Sequence, residues 1–197
     1  MSGATKRKAA IRAGVAAVIL LCAGAFAFEA LSRADSKPDA PIPPALSASA
    51  LSYLPSHSTE VSSALLARDA SLSSLPSTLD HLGYVTGRQR VFQGPSKHKL
   101  QFVESRTLHF ATPAGAAGYV AFVREHAGAY VGQIPTVKPL ASRGRAGVLI
   151  VAPLCACHMA QPNLYGIVSS GRRVTWLEIN GPGATRTALA ALLARAP

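Results

Sequence analysis

LQFVESRTLHFATPAGAAGYVAFVREHAGAY, residues 100–130, changes its period halfway along. In the first half, Leu100 to Thr112, the residues Leu100, Phe102, Leu108 and Phe110 share one parity, with Glu104 and Arg106 between them. Side chains of a strand alternate between its two faces, so this pattern predicts a strand with one apolar face, in a sheet covered on one side. Thr112-Pro113 then supplies a capping hydroxyl followed by a proline at the first helical position. From there Ala116, Tyr119, Val120, Val123, Ala127 and Tyr130 recur at helical spacing, and Gly132 and Pro135 end the helix near Tyr130.

Working outward, VTWLEIN (Val174–Asn180) is the clearest strand, rich in branched and aromatic residues. GPG stops it, and ATRTALAALLARA reads as a terminal helix burying Leu189, Leu192 and Leu193. A strand pair is expected at Gly147–Ala152 and Tyr165–Ser169, with a turn at Ser170-Gly171. On the N-terminal side, YVTGRQRVFQ (Tyr84–Gln93) is strand-like but interrupted by Gly87, and GPSKHK turns it into the strand above. LSSLPSTLDHL (Leu72–Leu82) is broken by Pro76 and reads as irregular with one helical turn. The stretch from Ser58 through TEVSSALLARD reads as a short helix with Val61, Leu65 and Leu66 on one side. The resulting order, α-β-β-α-β-β-β-α, predicts an α+β domain whose mainly antiparallel sheet carries its helices on one face.

Upstream of the domain the chemistry changes. Residues 1–12 carry Lys6, Arg7, Lys8 and Arg12 and no acid, and Ala13 to Phe28 is a sixteen-residue run without charge, closed by Glu29. As a helix the run is roughly 24 Å long, which Ala30, Leu31 and a snorkelling Arg12 extend toward the thickness of a bilayer core. Two readings compete: a membrane anchor over residues 13–31, or a signal peptide with a small-x-small site at Ala25-Phe26-Ala27. A lipoprotein signal is a poor fit, because Leu21 precedes Cys22 where a small residue is needed. Both main readings export the rest of the chain, since the positive charge stays inside. Residues 32–50 form a Pro/Ala/Ser-rich linker, with four prolines between Arg33 and Ala50. Residues 51–197 form the extracytoplasmic domain. The expected location is the cell membrane, single-pass with the C-terminal domain outside, or the exterior if the signal is cleaved.

Anchor, spacer and small domain together resemble the exported sensor-like and lipoprotein domains of high-GC Gram-positive bacteria. The residues that carry the resemblance are LHFATPAGAAGYVAFV at 108–123 and VTWLEINGPG at 174–183. It implies an architecture and no activity.

Composition narrows the function. The chain has 197 residues, 49% hydrophobic and 15% charged, with a net charge of +11. That is too apolar for a disordered chain, and a single long apolar run excludes a polytopic membrane protein. Three cysteines are too few for a disulfide scaffold. The domain holds fourteen Lys and Arg against six acids. Arg88, Arg90, Lys97 and Lys99, with His98, fall at the ends of one expected hairpin and are the candidate ligand-binding basic surface. Outside a membrane such a surface attracts phospholipid heads, anionic envelope polymer or an acidic protein partner. Export removes the chain from nucleic acid, and no stacking-aromatic motif accompanies the charge.

The sharpest local chemistry is Pro153-Leu154-Cys155-Ala156-Cys157-His158-Met159. Cys155, Cys157 and His158 suit a soft metal, copper or zinc, or a strained and reducible disulfide. A structural disulfide and two buried thiols remain alternatives, and C-x-C-H lacks the spacing of a haem attachment site. No G-x-S-x-G elbow is present, and none of the domain's acids, Glu60, Asp69, Asp80, Glu104, Glu125 and Glu178, forms a close pair along the chain. Glu104 and Arg106 read as an ion pair. The function expected is therefore a non-enzymatic, membrane-tethered binding or sensor-like module of the cell envelope without cofactor, the alternative being thiol redox or copper or zinc handling at Cys155, Cys157 and His158.

Overall fold

The computed structural model describes residues 43–132, 134–152 and 163–196. The expected anchor or signal segment, Cys22, and the Cys155-Ala156-Cys157-His158 segment lie outside the described residues. Among the described residues, no helix is long and apolar enough to cross a membrane.

The domain is α+β. A 3-10 turn at Ala48–Leu51 leads to strand β1 (Ser56–Val61), helices α1 (Ser63–Asp69) and α2 (Leu75–His81), then strands β2 (Tyr84–Gln93) and β3 (Phe102–Phe110). Helices α3 (Pro113–Glu125) and α4 (Ala127–Val131) follow, then β4 (Thr136–Ser142), β5 (Arg145–Val151), β6 (Leu164–Ser170), β7 (Arg173–Asn180) and the terminal helix α5 (Arg186–Arg195). The seven strands form one antiparallel sheet in the order β1-β2-β3-β7-β6-β5-β4. Two meanders, β1–β3 and β4–β7, meet where β3 pairs with β7, and α3 and α4 carry the chain from one meander to the other.

The caps form as the residue types dictate. The Thr112 hydroxyl accepts from the Gly115 N–H at 3.0 Å, and the Thr185 hydroxyl accepts from the Ala188 N–H at 3.1 Å. The expected helix 113–130 is instead two helices, because His126 (φ −110°, ψ 22°) leaves the helical region; Gly132, at φ 67°, closes the second. Three further expectations are corrected. The N-terminal half of the Ser58–Asp69 stretch is strand β1, and Ser62, accepting from Leu65 N–H at 3.1 Å, starts the helix later. Pro76 does not break Leu72–Leu82; it sits in the first turn of α2, where a missing N–H costs nothing. No strand is expected over Thr136–Ser142, where β4 forms; it is an edge strand and tolerates Pro139.

The larger correction concerns the layers: helices cover both faces of the sheet. One face carries Leu108, Phe110, Val148, Ile150, Ile167, Val174 and Trp176 beneath Leu66, Leu75 and Leu79 of α1 and α2 and Ala116, Tyr119 and Val123 of α3. The other carries Phe92, Val103, Leu149, Leu164, Val168, Leu177 and Ile179 beneath Leu189, Leu192 and Leu193 of α5 and Ala45, Leu46, Leu51 and Leu54. Strand β3 is consequently buried at six successive positions, Val103 to Leu108. Leu100, grouped from its parity with the first face, precedes the strand and packs on the second. Gly166 faces α5, and a Cβ there would meet Leu193 at 2.9 Å and Leu189 at 3.1 Å, so the missing side chain lets the helix approach the sheet. Ala45, Leu46 and Ala50, which composition alone places in the linker, are buried in this second layer.

Candidate functional site

On the first face the apolar surface is interrupted. Strand registry lays two rows across the sheet: Val91, Glu104, Glu178 and Tyr165, and beside it Gln89, Arg106, Trp176 and Ile167. Directly opposed residues of an antiparallel pair have Cβ atoms about 5 Å apart, so Glu104 and Glu178, distant in sequence, are neighbours in space. The end of α1 (Leu65, Arg68, Asp69) and Tyr130 of α4 rise around these rows and, with them, line a cleft of about 350 Å³.

The floor of the cleft is charged and buried. Arg106 is 8% exposed and Glu104 likewise 8%. The Arg106 Nε donates to the Glu104 carboxylate, as the sequence spacing leads one to expect, and its Nη2 donates to Asp69 Oδ2 at 2.7 Å. Burial alone would lower the Arg106 pKa, but the Glu104 carboxylate, then Asp69, outweigh it and raise it, so the guanidinium is a permanent charge. Its Cζ stands 5.7 Å from the Trp176 ring centroid. Tyr130 and Tyr165 flank the same indole, at 5.3 Å and 6.1 Å between centroids.

Among the described residues no cation is paired directly with Glu178. Asn163 Nδ2 donates to Glu178 Oε1 at 3.1 Å and to the Tyr165 hydroxyl at 3.2 Å, and Asn180 in turn donates to Asn163 Oδ1 at 2.5 Å. Burial first, and then the Glu104 charge, push the Glu178 carboxyl up to about 7. It therefore exchanges its proton near neutral pH. Burial also raises the Tyr165 hydroxyl well above its usual range and Tyr130 to about 12, so both remain neutral hydrogen-bonding groups. Gln89 Oε1 is a buried acceptor without a partner among the described residues. The cleft thus offers an aromatic wall, a neutralised arginine, a proton-exchanging carboxyl and an unused acceptor.

The residues singled out as a basic surface do not line this cleft. Arg88 and Arg90 are half-buried in the body of β2 on the opposite sheet face, level with Thr107 and Ser105 of β3. Arg88 stands across from Glu60 of β1, and Arg90 Nη1 donates to Ser56 Oγ at 3.4 Å. Lys97 and Lys99 are exposed in the turn between β2 and β3. Cys155, Cys157 and His158 lie outside the described residues, and among the described residues no group of three His, Cys, Asp or Glu side chains is placed to hold a metal ion.

Sequence reasoning finds Glu104 and Arg106 but misses Asp69, Glu178, Gln89, Tyr130 and Trp176 as their companions. A signal was present in VTWLEIN, where Glu178 shares parity with Trp176 in an otherwise apolar strand. Only the register against β3 turns that into a site.

No family model and no curated protein matches the sequence. Among solved structures it is similar to the extracellular domain of PknH from Mycobacterium tuberculosis, with a TM-score of 0.34 and 14% identity over 70% of this chain and 76% of that one. A likeness of that extent assigns neither the fold nor a function.

Proposed function

We propose that this chain is a non-enzymatic, extracytoplasmic, sensor-like binding module tethered at the cell envelope, and that the cleft over Glu104, Arg106, Trp176 and Glu178 holds its ligand. The export reading of residues 1–31 supports the location. One observation carries the binding role: a buried row of ionisable groups lies on a sheet face that is otherwise largely aliphatic and aromatic, and a cleft opens onto it. Buried ion pairs are weak contributors to stability, and well-packed apolar residues in their place often stabilise a fold more. Their presence under a cleft is accounted for by recognition.

The ligand class follows from the lining. Glu178 and Asp69, which already accept from Asn163 and Arg106, bring negative charge to the cleft, and Trp176, Tyr130 and Tyr165 present aromatic surface beside them. A small molecule with a cationic nitrogen on a flat or apolar body satisfies both. Binding such a cation favours ionised Glu178, so affinity rises with pH through neutrality.

Trp176 is the only tryptophan of the chain, so its emission reports the cleft without labelling. The full chain in uncharged maltoside micelles should show a saturable change in emission with choline, whose charge is permanent, that is tighter at pH 8 than at pH 6, and a saturable change with glucosamine at pH 6, where its amine is protonated. The uncharged carbon isostere of choline and N-acetylglucosamine should bind at least about tenfold more weakly. Emission that does not saturate with either amine, or that responds equally to the uncharged analogues, would remove the cationic-ligand reading.

A further inference from the structure

On the opposite face of the sheet from that cleft, a second one of about 410 Å³ is lined by Pro43, Ala45, Leu46 and Ala48 on one side and by Arg90 and Arg195 on the other. No carboxylate among the described residues lines it. Arg90 Nε is buried without a hydrogen-bond partner among the described residues, and the side-chain hydrogen bond Arg90 makes there, Nη1 to Ser56 Oγ, is long at 3.4 Å. Beside Arg90 in the ladder, Ser58 Oγ of β1 is likewise buried and unpartnered. A guanidinium has five donors in a planar fork, and a donor left without an acceptor is unfavourable. Two guanidiniums lining one cleft, with no carboxylate among the described residues beside them, repel each other as well. An anion with several acceptor oxygens entering the cleft offsets that repulsion and accepts from the two forks; Arg90 Nε itself is covered and stays outside its reach.

We infer that this cleft is an anion site for a phosphate group, gripped by Arg90 from the sheet and Arg195 from the last turn of α5. The inference is independent of the cationic ligand proposed for the other face. It draws only Arg90 from the basic surface expected from sequence; Lys97 and Lys99, exposed in the β2–β3 turn, take no part. Free phosphate and the phosphodiester of a lipid headgroup share the recognised chemistry, and the apolar Pro43–Ala48 wall leaves room for either.

The test is thermal unfolding of the full chain in uncharged micelles, followed by circular dichroism. Inorganic phosphate is compared with chloride at equal ionic strength, and short-chain phosphatidylglycerol with short-chain phosphatidylcholine. A ligand that binds only the folded state raises the midpoint with the logarithm of its concentration. The expected result is such a rise with phosphate or phosphatidylglycerol, the larger of the two identifying the source. Arg195 is exposed, so the Arg195→Ala protein should stay folded, with a midpoint in chloride no lower than the parent's, and should lose most of the rise. Arg90→Lys, which keeps the charge but not the fork, should lose it too. A Lys97→Ala/Lys99→Ala double variant should keep it. Phosphate stabilises many folds by exclusion from their surfaces, so a rise that survives in both arginine variants overturns the inference, as does no rise at all.

Discussion

At the scale of single residues, Glu178 is the group whose behaviour is most exposed to experiment. Its carboxyl titrates at about 7 in the folded protein, against an ordinary value of 4.5. The folded state holds this proton more tightly than the unfolded chain does. Its stabilising contribution is therefore complete below about pH 4.5 and is lost as pH rises through about 7. The size, from the linkage relation, is on the order of 3 kcal/mol across that window. Glu178→Gln keeps the acceptor for Asn163 and removes the titration. The variant should match the parent near pH 5 and exceed it at pH 8 in urea midpoint, with the difference opening between those values. Parallel pH profiles for the two proteins would mean that Glu178 titrates as an ordinary carboxyl, and the description of the cleft floor would have to change. Arg106 should show no comparable pH dependence, since Glu104 and Asp69 hold it charged throughout.

At the scale of elements, what was legible in the sequence depended on whether the signal was local. The cap at Thr112-Pro113, the branched run of β7 and the leucines of α5 are local, and all three appear within a residue or so of their expected bounds. Edge strand β1 reads as part of a helix and edge strand β4 does not register, because an edge carries polar residues and, at Pro139, a residue that central strands exclude. The site was half legible for the same reason. Glu104 and Arg106 sit two apart on one strand, whereas Glu178 and Asp69 reach them only through the β3–β7 register and the placement of α1. The join between α2 and α3 gives a sharp element-level test. Gly115, in the first turn of α3, packs against the Leu82 carbonyl at the end of α2, where a Cβ would collide with the oxygen. Gly115→Ala, favourable for helix propensity by about 1 kcal/mol, should nevertheless destabilise by roughly 2 kcal/mol or more. Thr112→Ala, which removes only the cap, should cost about 1 kcal/mol. Equilibrium denaturation of both distinguishes packing from propensity: a Gly115→Ala protein as stable as the parent would show that α3 can withdraw from α2 without loss.

At the scale of the whole molecule, the sheet is a septum between two cores. The residues that close the second core are drawn in part from a stretch whose composition reads as a spacer. Four prolines between Arg33 and Ala50 suggest an extended chain that contributes nothing to the fold. Yet Leu46 is 1% exposed, it packs with Phe92, Val103 and Leu177, and its N–H donates to Ser105 Oγ of β3 at 3.3 Å across 59 residues of sequence. Proline content describes how the backbone reaches the sheet, not whether the side chains between the prolines are buried. If Leu46 belongs to the core, Leu46→Ala leaves a cavity and should cost about 2–5 kcal/mol, comparable to Leu79→Ala in the first core. If the stretch were only a spacer, the substitution would fall within about 0.5 kcal/mol of the parent, as exposed changes do. Urea unfolding of the two variants side by side separates these cases. The same segment walls the Arg90–Arg195 cleft, so the Leu46→Ala protein should also lose phosphate stabilisation while its Trp176 response to amines, on the other face, is retained. Loss of both responses together would mean that the two faces are coupled through the sheet rather than separated by it.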